Sequence, residues 1–308
     1  MHSKSVICKK ILFFTAVFVF FVCCTRQKLN IKKSLEPTTD KLNFASGGPY
    51  DYTEFEDFSI ALNPKESVEA NLFLCKKCKD SPLVILLHGN SYTRLAHRFQ
   101  AQKLASWGIN TLLVDLPNRK QWNRNAHRLQ KIVKLIKGFP EIISKNLNPH
   151  KIILAGHSFG GYSVSLAASK LQEKIAGIIL LDPAVFNSKR LKDALKKIEV
   201  PSIILASDPL IFKAKKSYYF FKYAKHDTLE ISVTGTDHLN AQWPSIHEVL
   251  WGFDFRDQKY HKRYLETFLL SAINLSKDKD IGESWNSFSK LLELGLIKNS
   301  KMKFVSEK

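Results

Sequence analysis

The sequence predicts an α/β fold, with a mostly parallel central sheet and helices on both of its faces. Short apolar runs alternate along the chain with stretches of helical periodicity, which is the pattern of repeated strand-helix units. Several of these runs are apolar throughout, as in strands that are buried on both faces of a parallel sheet. The 308 residues, 44% of them hydrophobic and 24% charged, suffice for one large core.

Eight strands and five helices follow from these patterns. The strands are predicted at residues 54–60, 66–74, 83–87, 110–114, 152–155, 175–181, 202–206 and 228–233. The helices are predicted at residues 96–107, 119–137, 161–171, 260–275 and 283–296. An Asn63-Pro64 turn joins the first two strands, and Gly108 ends the first helix. We expect one folded domain over residues 50–308.

Residues 1–24 are predicted to be an export signal, because three lysines precede an almost wholly apolar run over residues 11–24. That run has about 14 residues, fewer than the roughly 20 that a spanning helix needs. Cys23 and Cys24 end it, where a bacterial lipoprotein carries its lipidated cysteine, although the usual small preceding residue is absent. A lipid anchor, cleavage with secretion, and an uncleaved anchor all stay open. Residues 25–49 are expected to be a polar, basic tether.

The formal net charge of +19 indicates an anionic partner or surface. The sequence contains no motif of the helix-turn-helix, RRM or zinc-finger kind, so we expect an anionic membrane surface and no nucleic acid. Residues 213–225 interleave five lysines with five aromatic residues, a composition that suits a membrane interface. The alternative, which we favour, is a surface helix whose aromatic side chains pack on the sheet.

The Cys75-Lys-Lys-Cys78 motif lies between two predicted strands. A structural zinc site would need a second pair of ligands nearby, and a thioredoxin-like motif would open a helix. Neither context is present in the sequence, so we expect a loop disulfide or two free thiols, with no metal and no cofactor.

The motif with chemical content is Gly156-His157-Ser158-Phe159-Gly160, which fits G-x-S-x-G. It follows an apolar strand and precedes a helix-compatible run, which is the context of a nucleophile elbow. In that geometry a strained turn exposes the serine hydroxyl, and we therefore predict Ser158 as the nucleophile. For His157 we expect packing beside the nucleophile.

A serine nucleophile needs a base, and the base needs an acid that fixes its tautomer. His238 lies in a glycine-containing loop after the last predicted strand, the position expected for the base. Two aspartates compete as the acid, since Asp182 and Asp208 each end a predicted strand after the elbow. Either carboxylate could accept a hydrogen bond from His238 Nδ1–H.

The remaining site predictions concern the oxyanion hole and the substrate pocket. Backbone N–H groups must face the developing negative charge, and the residue after the nucleophile, Phe159, supplies one of them. The second is expected from Asn90, in the loop after the strand at residues 83–87, where Gly89 permits a close turn. Trp243, soon after His238, could line an acyl pocket, and core packing is an equal alternative.

Four motifs carry a family resemblance: His88-Gly89, the run at 104–108, Gly-His-Ser-Phe-Gly-Gly and Gly-Thr-Asp-His-Leu-Asn. Over residues 82–245 the chain resembles the α/β-hydrolase branch that contains the plasma-type platelet-activating-factor acetylhydrolases. Chlorophyllases and cutinase-like polyesterases share much of this pattern. The resemblance implies an α/β-hydrolase fold and an exported, metal-free serine esterase or lipase-like enzyme, with short-acyl phospholipids among its candidate substrates.

The same resemblance favours Asp182 as the acid, because these families place it after the earlier strand. Asp182 lies 24 residues after Ser158 and 56 residues before His238, which is similar to that arrangement. Many other α/β-hydrolases use the later strand, so Asp208 stays the alternative. The chain departs from the family at Asn90 and at residues 118–119, which concerns the substrate rather than the reaction class.

Three other functions stay open at this point. One is a general carboxylesterase or polyesterase without lipid preference. Another is a catalytically silent hydrolase fold that binds a partner at a surface, although every expected catalytic position is filled. The third is a basic protein that binds nucleic acid or heparin, which would show binding that weakens steeply with salt.

Overall fold

The computed structural model describes residues 29–32, 47–117, 121–171, 175–208, 216–244, 257–277 and 281–304. Ten strands lie within these ranges: β1 Leu29–Lys32, β2 Tyr52–Asn63, β3 Glu66–Cys75, β4 Ser81–Leu87, β5 Asn110–Val114, β6 Leu147–His157, β7 Gly177–Leu181, β8 Ser202–Ala206, β9 Thr228–Val233 and β10 Ile297–Lys303. The helices there are α1 Arg98–Ser106, α2 Trp122–Gly138, α3 Phe159–Ala168, α4 Ser188–Leu195, α5 Lys216–Tyr223, α6 Gln258–Ser276 and α7 Ile281–Glu293.

The strands form one mixed sheet in the order β1-β2-β3-β5-β4-β6-β7-β8-β9-β10. Neighbouring strands from β5 to β9 are parallel, whereas β1, β2, β3 and β10 pair antiparallel at the two edges. The predicted α/β class with a mostly parallel central sheet is therefore confirmed. The parallel strands all end at one edge of the sheet, where ligands bind in such folds.

Helices cover both faces of the sheet. Successive residues of a strand point to opposite sides, so an apolar strand gives both faces of the sheet apolar side chains for helices to pack on. In β4, Leu83, Ile85 and Leu87 join a core with side chains of α2, α3, α4 and α5. Val84 and Leu86 of the same strand join a second core with α1, α6 and α7. The continuous apolar run in β4 thus has a direct cause, since each of its residues is buried on one face or the other.

The structure adds elements that the sequence patterns did not indicate. They are α4, the edge strand β10, and β1, which lies within the predicted tether and pairs with β2. The last helix ends at Glu293 instead of residue 296. Of the two states that stayed open for Cys75 and Cys78, the structure has the disulfide. The predicted export signal lies outside the described residues, and in the part that is described no helix is long and apolar enough to span a bilayer.

Candidate active site

The predicted elbow lies at the junction of β6 and α3. β6 ends at His157 and α3 begins at Phe159, so that Ser158 alone makes the turn, with φ 53° and ψ −121°. A non-glycine residue with positive φ is strained and persists only where its surroundings hold it. Backbone hydrogen bonds to neighbouring strands and loops hold this one, among them those from Ser158 N to Leu181 O (3.1 Å) and from Ala184 N to Ser158 O (2.9 Å). The strain therefore places the Ser158 side chain at the apex of the turn.

Gly156 and Gly160 permit the close packing of this turn. A Cβ on Gly160 would lie 2.5 Å from the carbonyl oxygen of His88, and one on Gly156 would lie 2.5 Å from the carbonyl carbon of Gly160. Contacts of that length do not occur, so a side chain at either position would displace α3 from β4 or from β6. The two glycines thus bring the start of α3 against the end of β4.

A chain of hydrogen bonds joins Ser158, His238 and Asp182. His238 follows β9 in a short 3₁₀ turn, and its Nε2 lies 3.0 Å from Ser158 Oγ. Its Nδ1 lies 2.5 Å from Asp182 Oδ2. The carboxylate can only accept, so Nδ1 carries the proton and Nε2 can accept the serine hydroxyl proton. This is the tautomer that a general base needs.

The backbone around the end of β7 holds the Asp182 carboxylate in place. Its second oxygen, Oδ1, accepts from Ser207 N (3.0 Å), and Asp182 N donates to Leu205 O (2.7 Å). Asp182 itself has φ 39° and is buried. Each carboxylate oxygen therefore has one donor, an amide on Oδ1 and the imidazole on Oδ2.

Asp208, the other candidate acid, follows β8, and its carboxylate contacts groups other than the His238 ring. Its Oδ2 accepts from Gly235 N (2.8 Å) and from Lys298 Nζ (2.7 Å). Of the two aspartates, the structure thus places Asp182 on the imidazole of His238 and Asp208 beneath the loop that carries that histidine.

The two predicted oxyanion donors lie beside the serine. Phe159 is the first residue of α3, so its N–H has no acceptor within the helix. Asn90 follows Gly89, whose position is so close to the elbow that a Cβ there would lie 3.0 Å from Ser158 Cβ. The Asn90 side chain is exposed and donates to Ser91 Oγ (2.9 Å). Both N–H groups therefore belong to backbone that surrounds Ser158.

His157 does more than the packing expected from the sequence. Its Nδ1 lies 2.9 Å from Gln242 Nε2, which donates to it, and its Nε2 donates to the backbone carbonyl of His238 (3.0 Å). Burial, with the neighbouring His238 second, lowers the pKa of His157 well below its ordinary value, so the ring stays neutral. Gln242 belongs to this arrangement, and nothing in the sequence pattern distinguished it from other polar residues.

A second buried histidine, His97, lies behind His157. The His97 ring is fully buried 5.8 Å from the His157 ring, and within the described ranges neither of its nitrogens has a hydrogen-bond partner. Burial, and to a smaller extent the charge of His88, lowers the pKa of His97 to about 3. His97 is therefore neutral at any pH above that value, with the two nitrogens of its ring buried in the core.

An aromatic cluster adjoins the elbow, and sequence reasoning missed most of it. The Phe159 ring lies 5.4 Å from that of Trp122 and 5.8 Å from that of Phe186. Phe186, in the loop after Asp182, is 38% exposed. We call Trp122, Phe159 and Phe186 the aromatic shelf. An exposed ring on a shelf next to the serine can contact an apolar part of a bound molecule.

Trp243 lies in a different setting from the aromatic shelf. Its ring packs on Phe99 (5.3 Å) and stacks on His261 (5.8 Å). These contacts are core packing, and the role in an acyl pocket stays a prediction. Residues 118–119, where the chain departs from the family pattern, lie outside the described ranges. Among the residues that the structure does describe, no group of three His, Cys, Asp or Glu is placed to hold a metal ion.

Comparison with known proteins relates this chain to hydrolases. Residues 84–274, more than half of the chain, match the alpha/beta hydrolase family. Two relatives from Arabidopsis thaliana are similar over shorter stretches. Methylesterase 1 is 33% identical over 89 residues, 28% of this chain and 29% of the relative. Methylesterase 2 is 33% identical over 84 residues, 27% of each chain.

These matches span less than a third of either relative's length, and neither is to an acetylhydrolase, a chlorophyllase or a cutinase-like polyesterase. That finer branch stays a prediction, whereas the family match runs from β4 to α6 and includes both the elbow and His238. This chain belongs to the alpha/beta hydrolase family.

Proposed function

We propose that this chain is a serine hydrolase that cleaves carboxylic esters through an acyl-serine intermediate. The observation that carries the proposal is the hydrogen-bond chain from Ser158 Oγ through the His238 ring to the buried Asp182 carboxylate. A serine hydroxyl is a weak nucleophile, and a positioned imidazole with the correct tautomer is what activates it. A serine with only a structural role at a tight turn would not require a contact with His238 or, through it, with Asp182.

The geometry supports the following steps. His238 Nε2 takes the proton of Ser158 as Oγ attacks the ester carbonyl carbon, and the Phe159 and Asn90 N–H groups receive the oxyanion. The tetrahedral intermediate collapses, the C–O bond to the alcohol breaks, and His238 returns the proton to the departing alcohol. Water then attacks the acyl-serine with the same histidine as base, the bond from the carbonyl carbon to Ser158 Oγ breaks, and His238 returns the proton to Oγ as the carboxylic acid leaves. Asp182 accepts from His238 Nδ1–H and stabilises the imidazolium.

The aromatic shelf supports an ester with an apolar group of modest size. Phe186 presents a partly exposed ring edge-to-face on Phe159, directly beside the nucleophile. The names of the two relatives support a small leaving alcohol, since both are called methylesterases. Short-acyl phospholipids are the narrower proposal, and it rests on the resemblance and the positive charge. A general carboxylesterase or polyesterase activity would use the same site.

We propose further that the protein is exported and stays at a membrane. The lysine-led apolar run ending at Cys23-Cys24 and the net charge of +19 support this location. The Cys75–Cys78 disulfide is consistent with an oxidising compartment. Cell fractionation after globomycin treatment or cysteine-to-serine changes tests the anchor, and a cytoplasmic protein that retains Met1 would refute it.

The lysine-rich aromatic segment supports membrane contact only in part. Phe220 of α5 is fully buried in the core, as expected for a helix that packs on the sheet. On the outer side, Lys192 and Lys222 lie 4.9 and 5.4 Å from the Tyr223 ring centroid, and Tyr218 is exposed. If this surface binds anionic lipid, binding to anionic vesicles falls steeply between low and physiological salt. Equal binding to neutral vesicles would count against it.

The decisive experiment for the activity compares two serine variants. Ser158→Ala should lose labelling by a fluorophosphonate and lose roughly 10⁶ in kcat towards p-nitrophenyl acetate. Ser169→Ala is the matched control, because Ser169 caps the C-terminal end of α3, is equally buried, and its hydroxyl donates to Leu166 O (2.9 Å). It should label and turn over like the wild type. A Ser158→Ala enzyme that keeps more than about one per cent of the activity refutes the mechanism.

Substrate class is then read from a short series. The wild type is tested on p-nitrophenyl esters of increasing chain length, on methyl esters of carboxylic acids and on a short-acyl phospholipid. A protein that folds but neither labels nor hydrolyses any of these would instead be a binding protein on a hydrolase fold.

A further inference from the structure

We infer that the ion pair between Asp208 and Lys298 positions the catalytic histidine from the edge of the sheet. The inference rests on the proposed function and assigns a task to two residues that take no part in the chemistry. We call residues 234–238 the histidine loop. Asp208 holds this loop from below, and Lys298, on the antiparallel edge strand β10, holds Asp208.

Asp208 contacts two successive residues of the histidine loop through its backbone and its side chain. Its Oδ2 accepts from Gly235 N (2.8 Å), and its own N–H donates to Thr236 O (2.9 Å). The carboxylate is only 4% exposed. A buried carboxylate that binds a loop amide fixes that amide far more tightly than water would.

Strand β10 and the residue just before it contribute two further contacts. Thr234 N, at the start of the histidine loop, donates to Leu296 O (3.0 Å) just before the strand. Lys298 Nζ lies 2.7 Å from Asp208 Oδ2, the same oxygen that receives the Gly235 N–H. The carboxylate therefore bridges the histidine loop and the edge strand. Removing the ammonium would leave a buried anion with less compensation, which would draw in water or pull the loop out of place.

Other contacts keep the histidine loop folded even without this pair. Arg263 of α6 donates to Thr234 O (3.1 Å), and Tyr260 packs where a Cβ on Gly235 would lie. At the far end, His157 donates to the His238 carbonyl (3.0 Å). Loss of the ion pair should therefore shift the loop slightly rather than unfold it. A small shift matters here, because the 3.0 Å contact between His238 and Ser158 depends on the loop position.

The test uses a lysine three residues along the same strand as its control. Lys301 also faces an acidic residue, since its Nζ lies 3.6 Å from Glu230 Oε2. In the described part of the chain, this pair makes no hydrogen bond or ion pair with the histidine loop. Lys298→Met and Lys301→Met thus make the same change in the same strand, and Lys298→Arg restores a cation. Asp208→Asn keeps an acceptor for Gly235 N while removing the charge.

Two measurements separate positioning from simple stability. With p-nitrophenyl acetate, Lys298→Met and Asp208→Asn should each lower kcat about tenfold with KM nearly unchanged, equal to about 1.4 kcal/mol of transition-state stabilisation. Lys298→Arg should recover most of the loss. In ¹H NMR, the low-field proton between His238 Nδ1 and Asp182 should broaden or shift in both variants, while Lys301→Met resembles the wild type in both measurements.

The inference is overturned if Lys298→Met and Lys301→Met match each other in kcat and in the imidazole resonance. It is also overturned if kcat across all four variants simply follows the thermal unfolding temperature. Failure of the proposed function looks different, since the wild type itself would then neither label nor hydrolyse. Even in that case the imidazole resonance reports whether Lys298 positions His238.

Discussion

Replacing His97 by leucine should make the protein less sensitive to acid. His97 is fully buried, and among the described residues its ring nitrogens have no hydrogen-bond partner. Its burial lowers its pKa to about 3 in the folded protein. The unfolded chain therefore takes up a proton at His97 as pH falls below about 6.5, whereas the folded protein does not. Folding stability is complete above that range and is lost as pH falls from about 6.5 towards 3.

The size of the effect follows from the two pKa values of His97. With 6.5 in the unfolded chain and about 3 in the folded protein, His97 should cost about 3 kcal/mol at pH 4 relative to pH 8. Leucine has a similar volume and no proton to bind, so His97→Leu should remove this cost. At pH 8 the exchange should change stability by less than about 1.5 kcal/mol in either direction, because it leaves the core volume nearly unchanged.

Urea denaturation between pH 4 and pH 8 measures the difference directly. The unfolding free energy of His97→Leu should fall less steeply than that of the wild type, by about one proton per molecule between pH 4 and 6. His127→Leu is the control, since His127 is exposed on α2 and the variant makes the same exchange outside the core. Parallel curves for the wild type and His97→Leu would show that His97 is protonated in the folded protein and would refute the argument.

Two further predictions concern the site. Asp182→Asn should lower kcat by about 10⁴, because the amide favours the wrong tautomer of His238, whereas Asp208→Asn should cost only about tenfold. Steady-state kinetics of the two purified variants decide this, and a dead Asp208→Asn beside an active Asp182→Asn would reverse the assignment. Phe186→Ala should lower kcat/KM about tenfold for p-nitrophenyl butyrate and much less for the acetate, because the lost ring contacts the longer chain. Phe139→Ala, which removes an exposed ring at the end of α2, should affect neither ester, and equal losses on both esters for Phe186→Ala would contradict the shelf.

The buried part of the fold could be predicted from the sequence, because burial on both faces imposes an apolar run. The predicted strands at residues 110–114, 202–206 and 228–233 coincide with β5, β8 and β9. Strand β10 could not be predicted in this way. In its sequence, Ile-Lys-Asn-Ser-Lys-Met-Lys, Ile297 is a core residue, and the strand forms because β9 offers it a partner. Edge strands rich in lysine give no periodic signal.

The candidate site divides in a similar way. The elbow and the histidine loop have local signatures, a glycine pattern around Ser158 and a loop after the final parallel strand, so both could be predicted. The family resemblance favoured Asp182 over Asp208, but position alone did not decide the choice, since each follows a strand beside the site. The choice depends on which group each carboxylate contacts. Asp182 contacts His238, whereas Asp208 contacts Lys298 on β10, the edge strand that the sequence pattern did not predict. Phe186 and Gln242 likewise could not be recognised as part of the site, because each is brought there by contacts with residues far away in the sequence, Phe159 and His157.

The contacts of strand β10 also set the order in which this protein becomes complete. Ser158, Asp182 and His238 are all made before the residues at 296–298 that fasten the histidine loop. At 5–20 residues per second, the 60 residues between His238 and Lys298 take about 3 to 12 s to synthesise. Whether the chain leaves a ribosome or a translocation channel, its N-terminal part emerges first. During that interval the emerging chain already contains Ser158, Asp182 and His238 but lacks the contacts from residues 296–298. If the proposed function holds, we expect a nascent or C-terminally clipped molecule to turn over substrate more slowly than the complete chain.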